Sequence, residues 1–194
     1  ASDVYKRQVV TQPDKAKGRS GQLQFPPVKE CAVKHGIPVF QPRRIKTPEA
    51  IEELKKYPAD VYIVAAFGQI LSQEILDLPK YGCLNIHASL LPKYRGAAPI
   101  QWAVINGEKV SGVTTMRMDE GLDTGDMILK EEVTLAPDET GGSLFDRLAE
   151  VGAKLAVQTL QALEDGTAEF TPQDHEKATQ VGMIQKSFGE MDFT

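Results

Sequence analysis

The sequence predicts an open α/β sheet, mostly parallel, with helices on both faces. Three observations carry that prediction. Short apolar runs of strand length alternate with amphipathic helical stretches along most of the chain. Residues 60–67, DVYIVAAF, are apolar on both faces, as suits a strand lying between two helical layers. The chain has 194 residues, 41% of them hydrophobic and 25% charged. A folded chain of that length hides roughly 70% of its unfolded surface, so it closes a core without a disulfide or structural metal.

The elements follow in order. Residues 1–8 carry neither helical nor strand periodicity and the chain starts without Met, so they read as a non-native or scar segment. Val9 and Val10 end a strand, and residues 12–27 form a polar, Gly-containing loop in which Lys15, Lys17 and Arg19 lie close together. Pro26 and Pro27 open a helix whose Val28, Cys31, Ala32 and His35 share one face, stopped by Gly36. Val39 and Phe40 suggest a short strand. Thr47, Pro48 and Glu49 supply an N-cap, a first-turn proline and an early acid to an amphipathic helix with Ile51 and Leu54 inward. After the run 60–67, Gly68 ends the strand and Ser72 caps a short helix through Leu76. Residues 83–87, CLNIH, form a second buried strand. Pro99 starts a helix with Gly107 just past its end, and residues 113–118 and 127–134 are strands flanking a Gly-rich loop. Residues 143–164 form a long helix with Leu144, Leu148, Val151, Leu155 and Leu160 inward, whereas 171–194 show no clear element.

Twenty-two Lys and Arg against 27 Asp and Glu give a net charge of −5, so a whole-chain basic footprint is absent. That argues against a dedicated nucleic-acid coat but leaves room for a local basic loop that touches phosphates. Mean hydropathy is −0.28 and no apolar run approaches 18 residues, so no membrane-spanning helix is expected. Cys31 and Cys83 lie far apart in apolar stretches and read as reduced, buried thiols of a cytosolic protein. Neither GxGxxG nor GxxxxGK[ST] occurs, so a nicotinamide or P-loop enzyme has no support.

The densest polar cluster is residues 85–96, NIHASLLPKYRG. Strand alternation puts Asn85 and His87 on one face at the carboxyl end of a strand, where open α/β sheets bind ligands. An amide N–H and an imidazole N–H can both donate to an oxyanion forming on an attacked carbonyl, and the imidazole can also move a proton. The plainer alternative, a core histidine beside a strand-end cap, stands next to that reading. A second cluster, residues 119–126, DEGLDTGD, has the composition of a turn between strands. Its spacing fails the EF-hand pattern and no second His or Cys accompanies it, so no metal is assigned.

Asn85-x-His87, the run Ser89-Leu90-Leu91-Pro92-x-Tyr94-Arg95-Gly96 and Asp123-x-Gly125-x-Met127 together resemble the 10-formyltetrahydrofolate-dependent formyltransferase family. The resemblance runs from about Val9 to the end. It implies a Rossmann-like catalytic domain over 9–170, lacking the family's first strand and helix, and a linker beginning at 171–194 that leads to a C-terminal domain. Asn85, His87 and Asp123 take the family's three catalytic positions, with 10-formyltetrahydrofolate as cosubstrate. The folate site maps onto Ser89, Leu90, Leu91 and Pro92, with the turn of Phe67, Gly68, Gln69, Ile70 and Leu71 walling the pterin. Residues 95–101 and 121–127, with the loop around Thr11–Asp14 and Gly18-Arg19, are most similar to members whose acceptor is methionyl initiator tRNA. Lys15, Lys17 and Arg19 would then meet tRNA phosphates, and the resemblance implies a cytoplasmic enzyme, monomeric at full length. A sugar-nucleotide or purine-nucleotide amine as acceptor, or an inert folate-binding fragment, remains open. If the first family strand is missing, the sheet is expected to break between residues 61–67 and 83–87.

Overall fold

The computed structural model describes residues 8–17 and 22–189, and the chain divides into two compact units. The first holds residues up to Tyr62 together with 66–82, and the second holds 63–65 and everything from Cys83 onward. The break therefore falls within one strand, between Tyr62 and Ile63. The expectation for residues 1–8 lies, but for Gln8, outside the described residues.

In the first unit β1 (Val9–Val10) pairs parallel with β4 (Val39–Phe40). The stretch after β1, expected as a loop, is a small antiparallel hairpin of β2 (Lys15–Lys17) and β3 (Gln22–Gln24). Each strand is only three residues long, too short for a period of two to stand out in the sequence. Asp14 ties the hairpin's base, accepting from Lys29 Nζ at 2.6 Å and Gln41 Nε2 at 2.8 Å, which holds its carboxyl below the ordinary aspartate range. Helix α1 (Pro27–Lys34) buries only Ala32. The predicted inward face is thus corrected: Val28, Cys31 and His35 are exposed, and of the two free thiols only Cys83 is buried. Helix α2 (Pro48–Lys55) is capped by Thr47, whose hydroxyl accepts from Ala50 N at 3.3 Å. Ile51 and Leu54 of α2, Ile45, and Ile75 of α3 (Gln73–Leu76) form this unit's core.

The second unit is built on a four-stranded sheet of order β5-β6-β8-β9. These strands are β5 (Tyr62–Val64), β6 (Cys83–His87), β8 (Val110–Arg117) and β9 (Met127–Thr134). Because β5 lies beside β6, the expected break between them is overturned. Strand β5 is also less covered than its sequence suggests: Ile63 is 42% exposed, and the chain turns away at Ala66, with φ 45°. The α/β class holds, but three of the sheet's four strands, β6, β8 and β9, pair antiparallel. Helix α4 (Pro99–Ile105) and helix α5 (Gly141–Glu164) pack on it, with Leu144, Leu148 and Leu155 against Ile100, Val113 and Val133. Helix and sheet meet closely enough that a Cβ at Gly152 would sit 3.1 Å from Ile86 Cγ2. Residues beyond Thr171, expected to have no element, contain a 3₁₀ turn (His175–Lys177) and β10 (Gln180–Val181). Strand β10 pairs parallel with β7 (Arg95–Gly96), and Thr171 bridges Met127, so this segment stays with the second unit.

Thr140 and Ser143 form a reciprocal capping box at the start of α5. Replacing Thr140 with Ala should lower unfolding stability by about 1 kcal/mol, read as a lower denaturant midpoint at unchanged m-value.

Candidate active site

Three polar side chains converge at the carboxyl end of β6. Antiparallel pairing with β8 sets Asn85 opposite Met116 and His87 opposite Thr114, so both project on one side of the strand. Asp123 reaches them from the loop between β8 and β9. Its Oδ1 accepts from Asn85 Nδ2 at 3.1 Å, and its Oδ2 accepts from the Gly96 amide at 2.8 Å. The same Oδ2 stands 3.7 Å from His87 Nδ1, an ion-pair separation rather than a hydrogen bond. Only 7% of the His87 side chain and 11% of the Asp123 side chain are exposed.

The imidazole has a fixed orientation. His87 Nε2 lies 2.9 Å from the Tyr94 carbonyl oxygen, which can only accept, so Nε2 carries a hydrogen. Nδ1 is then the ring atom free to gain or lose a proton, and it is the one facing the carboxylate. Asn85 has one amide hydrogen on Asp123, and the second has no partner among the described residues. The cluster thus offers an amide donor, a proton-exchanging ring nitrogen and a carboxylate able to stabilise positive charge on that ring, the set that an acyl-transfer step requires.

Local structure explains why the Asp123 loop holds its shape. Asp119 Oδ1 accepts from Gly121 N at 3.0 Å and Thr124 Oγ1 at 2.6 Å, an Asx-type turn. Asp123 has φ 53°, a left-handed conformation that Asp tolerates better than most residues. Gly125 lies so close to β8 that a Cβ there would sit 1.8 Å from the Arg117 carbonyl oxygen.

The loop after β6 is shaped by a buried hydroxyl. Thr114 Oγ1 donates to Ser89 O at 2.7 Å and accepts from Leu91 N at 3.1 Å, while Ser89 Oγ donates to Lys93 O at 2.7 Å. Ser89 and Leu91 are themselves buried, and Leu90 is partly buried with a methyl against Gly112 of β8. Lys130 Nζ donates to Leu91 O at 2.5 Å, and partial burial holds its ammonium below the ordinary lysine range. Tyr94 donates to Glu108 Oε1 at 2.5 Å, and burial together with that carboxylate pushes its phenol up.

The other sequence candidates belong to the first unit. Phe67 and Leu71 pack on its core, and Gln69 accepts from Ile45 N at 2.8 Å. Gln12 Nε2 donates to Phe67 O at 2.6 Å, Gly68 has φ 74°, and Ile70 is 80% exposed. Lys15 is exposed on the hairpin, whereas Arg19 lies outside the described residues, and only the backbone of Lys17 is described. Among the described residues no group of three His, Cys, Asp or Glu is placed to hold a metal, and no helix is long and apolar enough to cross a membrane. Sequence reasoning missed Gln173 and gave Arg95 no role of its own, yet both are buried directly behind the Asp123 loop. Arg95 lies inside the recognised motif; nothing in the periodicity around Gln173 marks it.

Both the α/β scaffold and this cluster fit one class, and the chain belongs to the formyl transferase family, whose model matches residues 1–160. It is 67% identical over 186 residues to the methionyl-tRNA formyltransferase of Agathobacter rectalis, covering 96% of this chain and 60% of that protein. It is 54% identical to the enzyme of the same name from Acetivibrio thermocellus, over 93% of this chain and 58% of the relative. The chain thus spans about three-fifths of the length of these curated relatives. Among solved structures, an N-formyltransferase of Helicobacter canadensis, in complex with folinic acid and dTDP-3-aminofucose, superposes with a TM-score of 0.70 at 23% identity. That match covers 92% of this chain and 62% of the other. The phosphoribosylglycinamide formyltransferase of Bacillus halodurans superposes with a TM-score of 0.62 at 26% identity, over 76% of this chain and 90% of the other.

Replacing Gly125 with Ala forces the loop away from the Arg117 carbonyl. The expected result is a loss of about 1–3 kcal/mol in denaturant unfolding.

Proposed function

We propose that this chain is the catalytic part of an enzyme that transfers the formyl group of 10-formyltetrahydrofolate to the α-amine of methionine on initiator tRNA. The observation that carries the chemistry is the Asp123 carboxylate, which binds Asn85 Nδ2 and lies 3.7 Å from His87 Nδ1. In this reading the amine lone pair attacks the formyl carbon and the carbonyl electrons move onto oxygen. The oxyanion is met by the second Asn85 amide hydrogen. His87 Nδ1 takes the proton shed by the amine, Asp123 stabilises the imidazolium, and collapse expels the folate N10, which takes that proton from Nδ1 as it leaves. Asn85, His87 and Asp123 are thereby assigned as the catalytic residues.

The acceptor rests on the relatives. Identity of 67% and 54% to methionyl-tRNA formyltransferases outweighs the 23% to an N-formyltransferase in complex with dTDP-3-aminofucose. On the same resemblance we assign the enzyme to the cytoplasm and read the full-length protein as a monomer. We assign Ser89, Leu90, Leu91 and Pro92 to the folate, and the turn of Phe67, Gly68, Gln69, Ile70 and Leu71 to its pterin. Lys15, Lys17 and Arg19 are assigned to tRNA phosphates, which exposed loop cations meet at little desolvation cost.

The test is formylation of methionyl initiator tRNA by the chain extended to its relatives' length. Product is expected with 10-formyltetrahydrofolate, and Asp123→Asn should lower kcat about 100-fold or more. Formylation of a nucleotide-linked amino sugar but not of the tRNA would contradict the acceptor assignment. Thr114→Val removes the hydroxyl shared by Ser89 O and Leu91 N, so it should raise KM for the formyl donor more than it lowers kcat.

A further inference from the structure

We propose that Gln173, oriented by the buried Arg95 guanidinium, is a positioning residue that fixes the Asp123 loop; this rests on the catalytic reading of Asp123 above. Gln173 is 5% exposed, and each of its hydrogen-bonding groups is engaged. Its Nε2 donates to Asp123 O at 2.9 Å and to Gly125 O at 2.7 Å. Its Oε1 accepts from Arg95 Nε at 3.0 Å and Nη2 at 2.7 Å.

Arg95 is the reason that the amide can point only one way. A guanidinium offers donors alone, so the Gln173 oxygen must face it and the NH₂ group must face the loop. Arg95 is 4% exposed and has no carboxylate partner among the described residues. Its remaining contact is His175 Nδ1, 3.3 Å from Nη1. Charge-assisted bonds to a neutral amide therefore set the orientation of that amide. The backbone next to Arg95 completes the arrangement, because Gly96 N donates to Asp123 Oδ2. Asp123 is held at two points: its carboxylate by Asn85 and Gly96, and its main chain by Gln173.

The segment carrying Gln173 is anchored on both sides. Thr171 and Met127 exchange N–H···O bonds at 2.9 and 2.8 Å, and Arg95 N donates to Thr179 O at 2.8 Å. A residue in the left-handed region, such as Asp123, drifts unless its surroundings over-determine it, and Gln173 supplies that determination.

Gln173→Glu separates the two halves of the role. A carboxylate still accepts from Arg95, now as an ion pair, but offers no N–H to the carbonyls of Asp123 and Gly125. We expect kcat for formyl transfer to fall about 10- to 100-fold, with KM for the formyl donor changed less than about twofold. The Gly96 amide should exchange hydrogen faster as its carboxylate partner moves away, while the thermal midpoint stays near that of the parent. Gln173→Met, which keeps chain length and packing, is read in the same way per folded molecule. Parent-like kcat and unchanged Gly96 protection would overturn the proposal, as would an activity loss that only tracks the unfolded fraction. Asp123→Asn is measured in parallel. If it keeps full turnover, the catalytic reading fails, and Gly96 exchange still decides whether Gln173 holds the loop.

Discussion

One nearly buried carboxylate organises the second unit's polar architecture. Asp123 accepts from Asn85 on β6 and from the Gly96 amide on β7, and it faces the His87 ring across 3.7 Å. Three separate pieces of chain must meet for this to happen. β6 supplies two side chains through strand alternation, β7 supplies a backbone donor, and the loop between β8 and β9 supplies the acid. A carboxylate in so dry a position is tolerated only because donors surround it. The fold around it can be understood as the means of holding those donors still.

Much of that support is neutral and indirect. The hydroxyl of Thr114 bonds Ser89 O and Leu91 N, and so shapes the loop that leaves β6. The amide of Gln173 bonds the carbonyls of Asp123 and Gly125, and a buried arginine fixes which way that amide points. Each of these groups is satisfied within the protein, which lets the site stay rigid without further charge. The one imidazole nitrogen committed to a carbonyl, His87 Nε2, leaves its other nitrogen for chemistry.

What could be read in the sequence was whatever is local. Asn85 and His87 are two apart on a strand, so a period of two places them together without any structure. Thr47 and Gly107 mark helix ends by their own backbone preferences, and both lie where their types predict. What could not be read depends on distant partners. Gln173 contacts residues 48 to 78 positions away, in a stretch with no periodicity. The strands of the β2–β3 hairpin are three residues each, too short for a period of two to announce them. Cys31 sits in an apolar run yet is exposed, because α1 buries only Ala32. The run 60–67 is apolar throughout, but Ile63 is 42% exposed, since burial is decided by neighbours rather than by composition.

The proposal that Asn85 and His87 converge on a single carbonyl is tested most directly by a crystal structure with a non-transferable formyl-folate analogue bound. The formyl oxygen should lie within about 3.2 Å of Asn85 Nδ2, with its carbon beside the His87 ring and the Asp123 carboxylate still on Asn85 and Gly96. A formyl group bound away from both side chains, with the loop of Asp123 unmoved, would contradict the account.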